Sequence, residues 1–227
     1  MSKIIALLPM KAHSERVSGK NFRLLNGKPL FRWVLDTMLS VPEISTVVIN
    51  TDAREILAKN GLVDSERVKI RDRRPEICGD FVSMNKIIAD DIEAMPADFY
   101  LMTHTTNPLL SAETIREAIR RFSEPKREFD SIFTVNKHQT RFYRKDLSPI
   151  NHDPNNLVRT QDLEPWYEEN SNLYVFTKRS FAATGARIGA KPALLEMRKT
   201  ESIDIDDAET WDLADAVIRH THGDKSP

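Results

Sequence analysis

Cysteine is almost missing from this chain. Cys78 stands alone among 227 residues, so no disulfide forms within the chain and the fold must be held by burial and hydrogen bonding. That scarcity fits a reducing compartment, and a cytoplasmic location is the expectation. A basic excess is missing too: 33 Lys and Arg stand against 34 Asp and Glu, for a formal net charge of -1. Nucleic-acid binders carry a positive surplus, so nucleic acid is not an expected partner. Long apolar runs are absent. The stretch Ile4 to Leu8 is too short to cross a membrane, is followed at once by a charged loop, and has no small-residue cleavage site. It reads as a buried first strand, and no membrane partner is expected. There is no internal repeat, no low-complexity tract, no Walker A motif and no Gly-x-Gly-x-x-Gly fingerprint. His138 and His152 lack metal-ligand spacing, and Cys78 has no paired histidine motif that would make it a nucleophile.

What is present is ordinary globular material, 40% hydrophobic and 30% charged. Strand-like and helix-like runs alternate. Thr46–Thr51, Phe99–Thr103, Ser131–Val135, Leu173–Phe176 and Leu194–Met197 read as strands. Phe31, Val34, Leu35 and Met38 recur at helical spacing, as do Ile87, Ile88 and Ile92. Ile115, Ala118, Ile119 and Phe122 repeat that spacing behind Ser111, a predicted N-cap. Arg54–Asn60 reads as a short helix stopped by Gly61, and Trp211, Ala214, Val217 and Ile218 mark a closing helix. Trp33 and Trp211 fall on apolar helix faces and are expected in the core. The pattern predicts a single α/β domain over 1–227, with a mostly parallel sheet between helices on both faces. Residues 136–171 break it: they are polar and carry Pro149, Pro154 and Pro165. A connection so long is expected to have a job, as a lid or a dimer contact.

In parallel sheets ligands sit beyond the carboxyl ends of the strands. After the first strand comes Pro9-Met10-Lys11-Ala12-His13-Ser14-Glu15-Arg16-Val17-Ser18-Gly19-Lys20-Asn21. Lys11, Arg16 and Lys20, with a hydroxyl, a glycine and an amide, are what a triphosphate-binding loop needs. Composition alone describes a solvated connecting loop equally well.

The stretch Ser14-x-Arg16-x-x-Gly19-Lys20-Asn21, followed by Asn26-Gly27-Lys28-Pro29, resembles the opening of the acylneuraminate cytidylyltransferases, which make CMP-sialic acid and CMP-activated relatives of it. Further pieces come in the family's order: Asn50-Thr51-Asp52; Arg74-Pro75-Glu76 with Gly79-Asp80 and Ser83; His104-Thr105-Thr106-Asn107-Pro108-Leu109; Glu169-Asn170-Ser171-Asn172-Leu173-Tyr174; and Ser202-Ile203-Asp204-Ile205-Asp206. The resemblance implies a three-layer α/β/α Rossmann-like nucleotidyltransferase that releases pyrophosphate as it joins CMP from CTP to an acidic 2-keto-3-deoxy sugar. It implies that Ser14, Lys20 and Asn21 hold the triphosphate beside Arg16, that Arg74 and Ser83 line the nucleotide, and that Asp204 and Asp206 hold Mg²⁺. Lys11, Arg16, Lys20 and Asp206 are then the expected catalytic set. The Asp pair has its own logic: two carboxylates two residues apart share one face of an extended segment and offer hard oxygens to Mg²⁺. An acidic helix N-cap before Ala208 explains the same residues without a metal.

His104, Thr106, Asn107, Asn170 and Tyr174 are the implied sugar contacts, with Arg141 and Arg159 as candidates for its carboxylate. A homodimer, with the 136–171 excursion covering the partner's site, is implied as well. The sequence departs from the family pattern at Lys11 (usually Arg), Ser18 (usually Pro), His104 (usually Gln) and near Glu168, where the family uses an Arg. The nucleotide half matches better than the sugar half. Other readings stay open: an enzyme for Kdo, legionaminic or pseudaminic acid, a non-catalytic nucleotide-sugar binder on the same fold, or a structural protein that interacts through its excursion.

Overall fold

The computed structural model describes residues 2–13, 17 and 19–223. Strand β1 (Ile4–Leu7) is apolar on both sides because both sides are covered. Ile4 and Ala6 pack with helices α1 (Leu30–Leu39) and α4 (Ala112–Phe122), whereas Ile5 and Leu7 pack beneath α3 (Met84–Ala94) and α5 (Lys178–Thr184). On one face of β1 therefore lie Phe31, Val34, Ile115 and Phe122, and on the other Ile88, Ile92 and Phe181. Alternation along one strand thus builds a three-layer α/β/α sandwich.

β1 is central. It pairs in parallel with β4 (Ile44–Thr51) and β6 (Phe99–Thr103), and β4 pairs in parallel with β5 (Val68–Asp72). Beyond β6 lies β8 (Trp166–Phe176), antiparallel both to β6 and to its other neighbour, β7 (Ser131–His138). β9 (Pro192–Glu196) closes the edge in parallel with β7, so the order is β5-β4-β1-β6-β8-β7-β9. The sheet is mostly parallel, as the sequence predicts, with one reversed strand inside it.

Two smaller elements complete the frame. Asn26 and Gly27 have φ of 46° and 76°, the left-handed pair a tight hairpin turn requires, and they join β2 (Leu24–Leu25) to β3 (Lys28–Pro29). Leu25, just before that turn, packs against Trp211, Ala214 and Ile218 of α6 (Ala208–His222). α2 (Arg54–Lys59) ends before Gly61, whose φ of 71° fits the predicted stop. Ser111 caps α4, its Oγ accepting from Thr114 N (3.1 Å). Trp211 is buried, as expected, and Trp33 is half-buried with Nε1 donating to Leu25 O (3.0 Å).

The predicted excursion needs correction. Residues 136–138 belong to β7 and residues 166–171 to β8, paired through Asn136↔Glu168 and His138↔Trp166, so the irregular part is only 139–165. The Trp166–Glu169 end of β8 projects past the packed layers and is exposed on both faces, which erases the alternation that marks a half-buried strand. Sequence reading also passes over β5 and α5. Each is short, and α5 is fixed by a capping box between Thr177 and Ser180 rather than by an apolar stripe.

One guanidinium locks the turn between α1 and β4. Arg67 donates to Leu39 O (2.6 Å), Val41 O (2.9 Å) and Ile44 O (3.0 Å). Arg67→Ala leaves three carbonyls without this donor and is expected to lower the unfolding free energy by about 2–3 kcal/mol, with Arg67→Lys recovering only part because an ammonium lacks the planar fork. Urea denaturation checks this, and an alanine variant as stable as wild type contradicts it.

Candidate active site

A cavity of about 340 Å³ opens at the carboxyl ends of β1, β5 and β6. Its walls are the segments that follow the strands: Pro9 to Lys11 after β1, Arg73 after β5 and His104 to Thr106 after β6. Lys20 and Asn21 form one side, and Gly79, Asp80 and Val82 the other. This is where a parallel sheet is expected to hold a ligand. Among its charged lining residues, Lys11, Lys20 and Arg73 stand against Asp80.

Lys20 is buried, and its ammonium donates to Ile205 O (2.7 Å) and stands 3.7 Å from Asp206 Oδ1. Ile205 in turn donates its N–H to Thr106 O (2.8 Å). The cationic turn near the start of the chain and Asp206 near its end therefore meet at Lys20, which lines the cavity. Ile205 is fully buried and is flanked by the half-buried Asp204 and Asp206. The N-cap of α6 is Asp207, whose Oδ1 accepts from Thr210 N (2.8 Å), so neither Asp204 nor Asp206 serves as the cap. Asp206, next to Lys20, and Asp204 would offer hard carboxylate oxygens of the kind Mg²⁺ takes. Among the described residues no cluster of three His, Cys, Asp or Glu side chains forms a metal cage of protein ligands alone.

Asn21 is buried and spans two of the lining segments: Nδ2 donates to Lys11 O (2.8 Å), and Oδ1 accepts from Thr105 Oγ1 (2.6 Å). Lys11 forms an ion pair with Asp80 across the cavity mouth. Ser14, Arg16 and Ser18 lie outside the described residues. His104 and Thr106 line the cavity. Burial, with the Arg187 and Lys20 charges nearby, pushes the His104 imidazole down to about 3, so it is neutral at physiological pH. Asn107 is fully buried beside this wall, its Nδ2 donating to Ser171 O (3.2 Å).

The structure puts Arg73, not Arg74, in the cavity wall. Arg73 donates to Asn50 Oδ1 (3.0 Å), Asn50 O (2.8 Å) and Met10 O (2.9 Å), and burial holds its guanidinium below its usual range. Arg74 turns outward to Asp90 Oδ1 (2.7 Å) on α3. The signal for Arg73 was strand alternation, which puts Arg71 and Arg73 on one side of β5 and its exit, but β5 itself was not legible. Ser83 is the N-cap of α3, accepting from Asn85 N (3.3 Å), and lines a smaller hollow next to the main cavity.

Asn170 is held in a polar network, accepting from Thr134 Oγ1 (2.7 Å) and donating to Asn136 Oδ1 (3.1 Å). Tyr174 bonds Glu169, and burial pushes its phenol up to about 12. Arg141 and Arg159 are elsewhere, on the 139–165 connection. Arg141 Nη2 donates to Val158 O (2.6 Å), Arg159 pairs with Asp162 (2.7 Å), and neither lines the cavity.

A sheet of this topology, with a cationic cavity at its carboxyl edge and an acidic pair beside it, is the architecture of a nucleotidyltransferase. The sequence matches the cytidylyltransferase family over residues 5–213, and the chain belongs to that family. It is 28% identical over 223 residues to the N-acylneuraminate cytidylyltransferase of Oncorhynchus mykiss, a match that covers 95% of this chain and 50% of the trout protein. The chain thus spans about half the length of that relative. It is 26% identical to the CMP-N,N'-diacetyllegionaminic acid synthase of Legionella pneumophila, over 95% of this chain and 96% of the other. Among solved structures, the CTP complex of CMP:2-keto-3-deoxy-manno-octonic acid synthetase shares the fold at a TM-score of 0.67 and 12% identity, covering 96% of this chain and 99% of that one. The 4-diphosphocytidyl-2C-methyl-D-erythritol synthase of Anaerococcus prevotii aligns at a TM-score of 0.70 and 15% identity, covering 96% of each chain.

Behind Arg73 lies a buried ionic knot. Asn50 Nδ2 donates to Asp91 Oδ1 (2.8 Å), Arg71 pairs with Asp91, and Arg71 also reaches Asp90 (2.9 Å). Burial pushes Asp91 up to about 6, against the pull of Asn50 and Arg71. Between about pH 4 and 6 the folded chain holds a proton here that the unfolded chain has released, so this group's contribution to stability falls as pH rises through that window. The melting temperature of wild type minus that of Asp91→Asn is expected to decline from about pH 4 to 6 and to level off above it. A difference that is flat or rises across the window contradicts this.

Proposed function

We propose that this chain transfers CMP from CTP to an acidic 2-keto-3-deoxy sugar, sialic acid or a related nonulosonic acid, and releases pyrophosphate. The observation that carries the reading is the meeting of Lys20 with Asp206 at a cavity also lined by Lys11 and Arg73. Membership of the cytidylyltransferase family supports the CTP half. The names of the trout and Legionella relatives support the sugar half.

In this reading a hydroxyl of the sugar attacks the α-phosphorus of CTP, and the bond to the bridging oxygen of pyrophosphate breaks. Lys11, Arg16 and Lys20 neutralise charge on the phosphates, and transfers of this kind rest on positioning and electrostatics rather than on a nucleophilic side chain. Ser14, Asn21, Arg74 and Ser83 are the remaining candidates on the nucleotide side, and Arg73 joins them because it lies in the wall. Asp204 and Asp206 would hold Mg²⁺, which supplies positive charge to the phosphates when bound. His104, so weakly basic, serves as a neutral hydrogen-bonding group and not as a proton shuttle. Thr106, Asn107, Asn170 and Tyr174 belong to the sugar side. A homodimer accords with the exposed Tyr143, Leu147, Leu157, Val158, Trp166 and Tyr167, which gather on the 139–165 connection and the adjoining end of β8, where Arg141 and Arg159 also sit. No helix among the described residues is long and apolar enough to cross a membrane, and with its lone cysteine the chain suits the cytoplasm.

A pyrophosphate-release screen over CTP, ATP, GTP and UTP, each with a panel of 2-keto-3-deoxy acids, tests the reaction. CTP with one acidic sugar is expected to react, and no release with any pair would overturn the proposal. Asp206→Ala is expected to lower kcat by roughly 10²–10³ while leaving the melting temperature near wild type. Unchanged turnover in that folded variant removes Asp206 from the catalytic set.

A further inference from the structure

A second hollow, of about 290 Å³, adjoins the main cavity, and Met84 lines both. Ser83, Asn85, Glu169 and Arg187 supply its polar wall. Arg187 precedes β9 and belongs to none of the motifs read from the sequence. Its guanidinium lies over the Tyr174 ring, 4.0 Å from the centroid, and Nη2 donates to Tyr174 Oη (3.0 Å). Glu169 forms a long ion pair with Nη2 at 3.8 Å and also accepts from the Tyr174 hydroxyl, so it faces one end of the guanidinium. Among the described residues Arg187 makes no other side-chain hydrogen bond. A guanidinium stacked on a ring keeps its in-plane N–H groups available, and a planar fork of donors suits a carboxylate.

We propose that Arg187 anchors the carboxylate of the acceptor sugar in this second hollow. The assignment rests on the acidic-sugar reading above and adds a residue to it. Three observations carry it. Within one chain, the two arginines that the sequence suggests as carboxylate partners, Arg141 and Arg159, line neither the cavity nor the hollow. Glu168, near the position where the family pattern has an arginine, points its charge instead at His138 (2.8 Å) and Asn136 (3.2 Å). The hollow that Arg187 lines and the main cavity share Met84 as a common wall, so the two adjoin. Tyr174 then acts as a positioning residue. Its ring supports the guanidinium, and its hydroxyl, accepting from Nη2, fixes the rotation.

The test is steady-state pyrophosphate release from CTP with N-acetylneuraminic acid, pseudaminic acid and Kdo, using wild type, Arg187→Ala, Arg187→Lys and Tyr174→Phe. For whichever acid the wild type uses, Arg187→Ala is expected to raise the sugar KM about tenfold or more, with the CTP KM within about twofold. Arg187→Lys should recover part of the loss, and Tyr174→Phe should give a smaller rise. If the alanine variant does not fold, Arg187→Gln carries the same comparison. An unchanged sugar KM, or a CTP KM that rises in parallel, overturns the anchor while leaving the reaction intact. Should the wild type release no pyrophosphate with any of the three acids, the reaction itself falls. Saturation-transfer NMR with the same acids then decides the anchor: an acid bound by wild type and lost in Arg187→Ala supports it, and no binding to wild type overturns it.

Discussion

The bond from the Lys20 ammonium to the carbonyl of Ile205 is the constraint on which the site depends. It joins a turn near the start of the chain to a segment 185 residues further on, and it does so in a buried place where an unpaired ammonium would be expensive. Ile205 also donates to Thr106, so three distant stretches of sequence meet at the backbone of one residue. Because Ile205 itself is anchored among Leu25, Leu30 and Trp211, the carboxylates on either side of it are held by core packing rather than by a loop. The precision of the acidic pair is thus inherited from apolar residues that never touch a ligand.

The surrounding charges are balanced so that the cavity can exist without a ligand. Lys11 leans on Asp80, and Arg73 is absorbed by two backbone carbonyls and the Asn50 amide. Such partners are exchangeable in different degrees. The Lys11–Asp80 pair is half-exposed and therefore weak, whereas the contacts of Arg73 are largely shielded from water. An incoming polyphosphate would find one cation easily recruited and another fixed in advance. The electrostatics of the pocket are pre-set on the β5 side and adaptable on the β1 side.

Much of the fold could be read from sequence because burial on both faces leaves an unmistakable run, as in Ile4–Leu7, and because amphipathic helices such as α4 repeat their apolar residues in register. The elements that escaped were those whose identity is settled by tertiary context: β5 is five residues long, α5 is seven, and the outer half of β8 has solvent on both faces. The same divide runs through the site. Lys20 and Asp206 stood out through motif order, and the fold joins them. That Arg73 rather than Arg74 faces the cavity depends on which way a residue points as β5 exits, and Arg187, in the connection before β9, gains its place only through the packing of its guanidinium on Tyr174 of β8. Arg187 leaves no trace in spacing, and the alternation that marks Arg73 is hidden in a strand of five residues.

The reversed strand in the sheet has a consequence for how the molecule is made. β6 is buried along all five residues, yet one of its edges is covered only by Leu173–Phe176 of β8, about 70 residues later in the chain. During synthesis at roughly 5–20 residues per second, that apolar edge stays open for on the order of 4–14 s after β6 has emerged. The unpaired backbone N–H and C=O groups of a largely apolar strand invite pairing with a neighbouring chain. The nascent protein therefore passes through an interval in which its growing sheet ends in an adhesive border, and chaperone demand should concentrate there rather than at the finished surface.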